Sequence, residues 1–141
     1  MGGVCAGGMK SIRKKHTRNL VDSLKYSLLL YKSRVMIADN QTISSQIKTA
    51  VLSVDPAAEV ILFGSRARGD SRSDSDWDVL ILVGKDEITW EYEREFRHKL
   101  YDIELSISQP ISVFVYSKKD WIGRFSVTPL FEAIQSEGII I

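Results

Sequence analysis

The most constraining feature of this chain is a pair of carboxylates, Asp76 and Asp78, at the head of an apolar run that ends at Val83. Ionised carboxylates that enter an apolar segment cost free energy unless they are paired or bind a cation. Because alternate side chains of a strand point to the same face, the two aspartates project together, with Cα atoms roughly 6 to 7 Å apart. Both carboxylates can therefore reach one ion.

Another apolar run, from Glu59 to Phe63, ends in Gly64-Ser65, and ten residues separate Ser65 from Asp76. Both runs are short, rich in β-branched residues and bounded by Gly, Asp and Ser, so they predict two paired strands at 59–63 and 77–83. Gly64 permits a sharp turn and a close approach of a phosphate to the main chain. The Ser65 hydroxyl and the neighbouring N–H groups are donors for oxygen anions.

Two arginines follow this turn, Arg66 and Arg68, and they add positive charge where phosphates would lie. A guanidinium can bind phosphate oxygens through two parallel hydrogen bonds, so we expect at least one of them to neutralise a leaving pyrophosphate. Mg²⁺ prefers oxygen ligands, takes few carboxylates and completes its shell with water and substrate phosphates. Asp76 and Asp78 are therefore the predicted Mg²⁺ ligands beside a triphosphate site.

Each half of this pattern, taken separately, also fits an ordinary surface loop. Gly-Ser before charged residues is common in turns, and aspartates such as Asp70 and Asp74 are frequent turn formers. The combination favours a nucleotide site, because the Gly-Ser turn accompanies carboxylates that enter a buried strand. Asp74 precedes the apolar run and is assigned to the loop.

The spacing Gly-Ser-x10-Asp-x-Asp resembles the signature of the minimal nucleotidyltransferases, the MNT family of the polymerase-beta-like superfamily. The likeness covers about residues 41–141, including the tail Thr-Pro-Leu-Phe-Glu-Ala-Ile-Gln-Ser-Glu-Gly-Ile. It implies an α/β domain, in which helices pack on a short mixed β-sheet. The site residues that it implies are catalytic and metal-binding Asp76 and Asp78, and nucleotide-binding Gly64, Ser65, Arg66 and Arg68.

The resemblance also implies a reaction and a partner. A nucleoside monophosphate, AMP from ATP with Mg²⁺, would pass to a hydroxyl on a partner protein. Members of the minimal family commonly act as antitoxins beside a helical HEPN toxin. No second domain is evident that would hold a small acceptor or a tRNA end, so we expect the acceptor to arrive on a separate protein.

One departure from the superfamily pattern concerns a third carboxylate, which the resemblance places on the strand after the second helix. Here that strand is expected at 111–116; it carries no acidic residue, and Ser112 is the nearest polar one. Asp102 and Glu104, near the end of the preceding helix, are the alternatives. The missing acid keeps a second interpretation open, a catalytically weak or inactive module that binds nucleotide or masks a partner.

The other segments predict the remainder of a compact α/β unit. Helical spacing at 43–51 predicts a covering helix that ends before Asp55-Pro56. Asp86 is the expected N-cap of a long amphipathic helix after the second strand. Two more helices are expected, a short one capped by Ser117 and a last one from Thr128-Pro129 to Gly138.

Charge divides the chain into two parts. Eight basic residues stand against one acidic residue through Ala38, whereas the remainder has eleven against seventeen. Residues 1–40 are therefore expected to be a basic N-terminal extension, either disordered or the product of an alternative start, and 41–141 the nucleotidyltransferase domain. A third interpretation is an RNA-binding accessory protein that uses the basic extension, although nucleic acid is not an expected partner of the domain.

Composition favours a cytoplasmic location. The 141 residues suffice for one domain with a real core. A single cysteine, Cys5, excludes an intramolecular disulfide framework. No apolar run approaches the roughly 18 residues of a membrane span, so no membrane partner is expected.

Overall fold

The computed structural model describes the backbone of residues 1–3 and 13–141, and the side chains of 1–3, 20–35 and 39–141. The chain divides into two compact units, Met1–Ala38 and Asp39–Ile141. A long helix, α1, runs from Arg13 to Val54 and contributes residues to both units. Helix α1 thus begins inside the basic extension and ends directly before Asp55, where the covering helix was predicted to end.

A sheet of four strands forms the centre of the second unit, in the order β3-β2-β1-β4. The strands are β1 Glu59–Phe63, β2 Trp77–Val83, β3 Ile111–Ser117 and β4 Ile139–Ile140. Strand β1 pairs antiparallel with β2 and β4, and β2 pairs parallel with β3. The mixed sheet and the predicted β1 and β2 are confirmed; β3 is one residue longer than predicted, and β4 was not predicted.

Four further helices are α2 Gly64–Arg68, α3 Trp90–Ile107, α4 Lys118–Ile122 and α5 Pro129–Glu137. The predicted caps of α4 and α5 are confirmed, since Ser117 Oγ accepts from Asp120 N and Thr128 Oγ1 accepts from Phe131 N. None of the described helices combines the length and apolar character that a membrane span requires.

The predicted N-cap of α3 was wrong. Thr89, not Asp86, precedes the helix in an extended conformation, and its Oγ1 accepts from Tyr92 N at 3.3 Å. The carboxylate of Asp86 instead accepts from Lys119 Nζ at 3.1 Å. Thr89 directly precedes the first helical residue, Trp90, so its hydroxyl can reach the N–H groups of the first turn, whereas Asp86 lies three residues farther back.

Successive side chains of β2 point alternately into two apolar layers, one on each face of the sheet. Trp77, Val79 and Ile81 have no exposed surface and pack in the layer of α1 and α3. Leu80 and Leu82 lie in the other layer, with side chains of α4 and α5. Asp78 has the same parity as Leu80 and Leu82, so its carboxylate emerges on the α4–α5 face of the sheet.

A hydrogen bond links α3 to the end of α1. Tyr92 Oη donates to Asp55 Oδ2 at 2.6 Å, and Ala57 N donates to Asp55 Oδ1 at 2.9 Å. The bond from Tyr92 is the main reason that the pKa of the Asp55 carboxyl lies below its ordinary value. The ionised form of Asp55 is thus favoured by folding.

Tyr92→Phe should therefore lower the free energy of unfolding by about 1 kcal/mol at pH 7, the net value of a partly solvated hydrogen bond. Because folding lowers the pKa of Asp55, its contribution is present above the pKa of about 3.9 in the unfolded chain and is lost as pH falls through the lower folded value. Urea unfolding at descending pH should show the mutant approaching the wild type. Tyr101→Phe, at an exposed tyrosine, is the control; a pH-independent difference for Tyr92→Phe would contradict the assignment.

Candidate active site

The two predicted metal ligands lie at the start of β2. Asp76 is exposed and Asp78 partly buried, while Trp77 between them points into the opposite layer. The register of the sheet places Asp78 beside Phe63 of β1 and Ser112 of β3. Burial, and then the charge of Asp76, raise the pKa of the Asp78 carboxyl. The two carboxylates are thus close enough to repel each other, and a bound cation would offset that repulsion.

Gly64 brings the turn and the carboxylate together. Its φ of 71° lies in the left-handed region that favours glycine. A Cβ at this position would overlap Oδ2 of Asp78. The sequence assigned Gly64 to the approach of a phosphate; the structure shows that the missing side chain also makes room for Asp78. Ser65 follows in the first turn of α2.

The hydrogen bonds of the Arg66 guanidinium go to groups other than the two aspartates, although the charge of Asp76 acts on it. Its Nη1 donates to Asn40 Oδ1 at 2.9 Å, and its Nη2 donates to Ser75 O at 2.6 Å and Gln109 Oε1 at 2.8 Å. The guanidinium is 7% exposed and lies 4.6 Å from the ring centroid of Trp77. These contacts hold the loop before β2 against α1 and against the segment that follows α3. The hydrogen bonds of Arg66 are thus structural, and its role as a phosphate ligand stays a prediction.

The charge of Arg68 reaches Asp78, whereas the charge of Arg66 reaches Asp76. Arg68 is half exposed, and its charge lowers the pKa of Asp78. Its Nη1 donates to Glu137 Oε2 at 2.9 Å and its Nε to Asp70 Oδ2 at 3.3 Å. The sequence could not distinguish the roles of Arg66 and Arg68, because the direction of each side chain depends on the single turn of helix α2.

Glu137, in the last turn of α5, was missed by the sequence analysis. Its Oε1 accepts from Gly64 N at 3.0 Å, and its charge raises the pKa of Asp78. The bond from Arg68 is the main reason that the pKa of Glu137 itself is lowered. Pairing of β4 with β1 brings the end of α5 to this turn. The only signal in the sequence was an acid directly before Gly138, within the tail that resembles the family.

The proposed sources of a third carboxylate lie elsewhere. Glu104 Oε2 accepts from Ile111 N at 3.3 Å, and Asp102 is exposed on α3. Helix α3 packs on the sheet face opposite Asp78. Across the side chains that the structure describes, no hydrogen bond or ion pair joins either acid to Asp76 or Asp78. Ser112 is the β3 residue beside Asp78.

The donor set fits a hard divalent cation. In the described part of the chain, no group of three or more His, Cys, Asp and Glu side chains gathers as a metal site. Mg²⁺ needs fewer, since water and substrate phosphates complete its shell. Burial, and after it the charge of Asp76, raises the pKa of the Asp78 carboxyl, and a cation held by both residues would offset this cost of ionisation. Both residues are therefore suitable ligands for such an ion.

The chain is similar to one protein family and to solved structures. A family model described as "Polymerase beta, Nucleotidyltransferase" matches residues 45–129, more than half of the chain. A solved toxin–antitoxin with AMP-PNP is similar with a TM-score of 0.51 and 18% identity, over 68% of this chain and 69% of that chain. A mutant of the toxin–antitoxin MntA–HpeT has a TM-score of 0.43 and 17% identity, over 64% of this chain and 65% of that chain.

No curated protein matches. The structural likeness at a TM-score of 0.51 supports the fold, and the family match covers the strands that carry the Gly-Ser turn and both aspartates. The predicted resemblance is confirmed, and the protein is a nucleotidyltransferase that belongs to the polymerase beta nucleotidyltransferase family.

Proposed function

We propose that this protein transfers AMP from ATP, with Mg²⁺, to a hydroxyl of a partner protein, as the antitoxin of a pair whose toxin is a helical HEPN protein. The observation that carries the proposal is that Asp78 lies against the Gly64 turn, close enough to Asp76 and Arg68 for the charges of both to act on it. The toxin–antitoxin solved with AMP-PNP supports ATP and a toxin as partners. The proposed domain is 41–141, and its proposed location is the cytoplasm.

The roles of the residues follow from charge and reach. Asp76 and Asp78 would hold Mg²⁺, which when bound supplies positive charge at the phosphates. Gly64 N–H, the Ser65 hydroxyl and the Arg68 guanidinium would bind phosphate oxygens. The acceptor oxygen attacks the α-phosphorus, a new P–O bond forms, and the bond to pyrophosphate breaks. Such a transfer depends mainly on positioning and on charge neutralisation.

The acceptor must also lose a proton, and the chain offers little help in that step. Ser112 stands where the superfamily pattern has an acid, beside Asp78. Glu137 is close, but its carboxylate already accepts hydrogen bonds from Gly64 and Arg68. General-base catalysis is typically worth 10² to 10⁴-fold, so turnover should be slow. This arrangement is the specific observation that favours the second candidate function, a module that binds nucleotide or masks a partner without turnover.

Label transfer tests the two functions. The protein should be incubated with ATP and a helical protein encoded beside it, with ³²P at either the α or the γ position of ATP. We expect slow transfer of the α label and none of the γ label, because pyrophosphate is the leaving group. Ser112→Asp should raise the rate by about 10²-fold, the lower end of general-base help. Ser106→Asp, at an exposed position of α3, should leave the rate unchanged.

The outcomes separate the functions clearly. Transfer of the γ label would mean phosphorylation and would exclude nucleotidyl transfer. No transfer by wild type or by Ser112→Asp, with Mg²⁺-dependent ATP binding intact, would establish the non-catalytic module.

A further inference from the structure

Two of the three donors assigned to the triphosphate already bind an anion, and that anion is a side chain of the protein itself. The carboxylate of Glu137 accepts from Gly64 N at 3.0 Å through Oε1 and from Arg68 Nη1 at 2.9 Å through Oε2. Carboxylate and phosphate oxygens make the same charge-assisted hydrogen bonds with N–H and guanidinium donors. One carboxylate therefore links the backbone and the side-chain donor that the proposed function gives to phosphate oxygens.

The backbone fixes Glu137 at this place. Glu137 ends α5, and the next residue, Gly138, donates from N to Ile134 O at 2.8 Å. A Cβ on Gly138 would lie 2.5 Å from Ile134 O and 3.0 Å from Cγ2 of Ile61, so only glycine permits this tight passage from α5 into β4. Strand β4 then pairs with β1, the strand that ends at the Gly64 turn. The contact of Glu137 is thus set by the fold and not by a free loop.

Glu137 also adds negative charge to a site that must admit a polyanion. It lies close enough to act electrostatically on Asp78, together with Asp76. Its side chain is partly solvated, 19% exposed, and so can leave the two donors by rotation without unfolding of α5. The terminal phosphates of a nucleoside triphosphate carry more charge than one carboxylate and can form the same bonds.

We propose that Glu137 is a positioning residue of the nucleotide site, an internal competitor that holds Gly64 and Arg68 until the terminal phosphates of a nucleoside triphosphate displace it. The inference rests on the proposed function, and it goes further in naming the residue that sets affinity. Glu137 also determines which class of ligand binds well, because a ligand without terminal phosphates gains no binding energy from displacing Glu137. Triphosphates should respond to a change at Glu137, whereas AMP should not.

Calorimetry with Glu137→Gln tests the competitor. The amide keeps the size of the side chain and removes its charge. We expect MgATP and inorganic tripolyphosphate to bind the Glu137→Gln variant about tenfold more tightly than they bind wild type, equivalent to about 1.4 kcal/mol. The affinity for AMP should be unchanged. Glu132→Gln, at an exposed position of the same helix, is the matched control and should bind all three ligands as wild type does. Glu137→Ala should show the same gain in affinity for MgATP and tripolyphosphate, because the gain does not depend on a contact of the introduced amide.

Weaker or equal binding of MgATP by Glu137→Gln, in protein with a wild-type melting temperature, would overturn the inference while leaving the proposed function standing. An equal gain in affinity for AMP would also overturn the inference, because the effect would then not depend on the terminal phosphates. Tighter tripolyphosphate binding without any label transfer to a partner would support the inference and reject the proposed function. If no variant binds MgATP or tripolyphosphate, both are rejected.

Discussion

Replacing both aspartates, Asp76→Asn with Asp78→Asn, should lower the rate of nucleotidyl transfer by at least about 10³-fold, equivalent to about 4 kcal/mol of transition-state stabilisation. The amides keep the shape of the site but are poor ligands for Mg²⁺, so the strengthening of ATP binding by Mg²⁺ should disappear. Titration of ATP in the presence and absence of Mg²⁺ checks this directly. We expect the same weak binding in both conditions.

The same double mutant should remain folded. Burial and the charge of Asp76 raise the pKa of the Asp78 carboxyl, so ionised Asp78 opposes folding at neutral pH. Replacing it with an uncharged amide removes that opposition, and urea unfolding should show a stability at least equal to that of wild type. Asp74→Asn with Glu132→Gln removes two charges at exposed positions and should keep Mg²⁺-dependent binding. Retention of that dependence in the aspartate double mutant would contradict the metal assignment.

The strands of the site were predictable because their signals are local. Alternation and β-branched residues mark β1 and β2, and turn residues bound each one, so the predicted ranges coincide with the observed strands. The caps at Ser117 and Thr128 were predictable for the same reason, since a hydroxyl directly before a helix needs only its own turn. Thr89 follows this rule too, but Asp86 lies three residues upstream and aspartate is also a preferred N-cap residue, so the sequence offered two candidates.

The parts that were not predictable depend on contacts between distant segments. Strand β4 has two residues, which is too short to show any period, and its place is set by pairing with β1. Glu137 enters the site only through that pairing. Arg66 and Arg68 have equivalent sequence surroundings, and what separates them is the position of partners such as Gln109, supplied after α3. Patterns within a short segment of sequence do not show these contacts between distant segments.

Arg66 and Glu137 hold two different parts of the candidate site. Arg66 binds Ser75 O, directly before Asp76, and stacks on the ring of Trp77, so it fixes the loop that presents the carboxylate pair. Glu137 binds the other side, at Gly64 and Arg68. One arginine thus serves the scaffold, and the other, held by an exchangeable carboxylate, remains available for phosphate.

Gly64→Ala should abolish Mg²⁺-dependent ATP binding and destabilise the fold more than Gly69→Ala. Both glycines have left-handed φ angles, 71° and 78°, so each substitution costs about 1 to 2 kcal/mol from backbone strain. They differ in surroundings, because a Cβ on Gly64 would overlap Oδ2 of Asp78, whereas a Cβ on Gly69 meets nothing within 4 Å. The collision should add about 1 to 3 kcal/mol and move the carboxylate away from Asp76.

A double-mutant cycle isolates this collision from the strain. Adding Asp78→Ala to Gly64→Ala removes the colliding atoms, so the extra loss of stability should be recovered while the strain remains; adding it to Gly69→Ala should give additive effects. Urea unfolding of wild type, of the single variants Gly64→Ala, Gly69→Ala and Asp78→Ala, and of the two double variants provides the free energies. Calorimetry of the two single glycine variants provides the MgATP affinities. Equal stability of Gly64→Ala and Gly69→Ala, with MgATP binding retained by both, would show that the missing side chain of Gly64 is not what gives Asp78 its place.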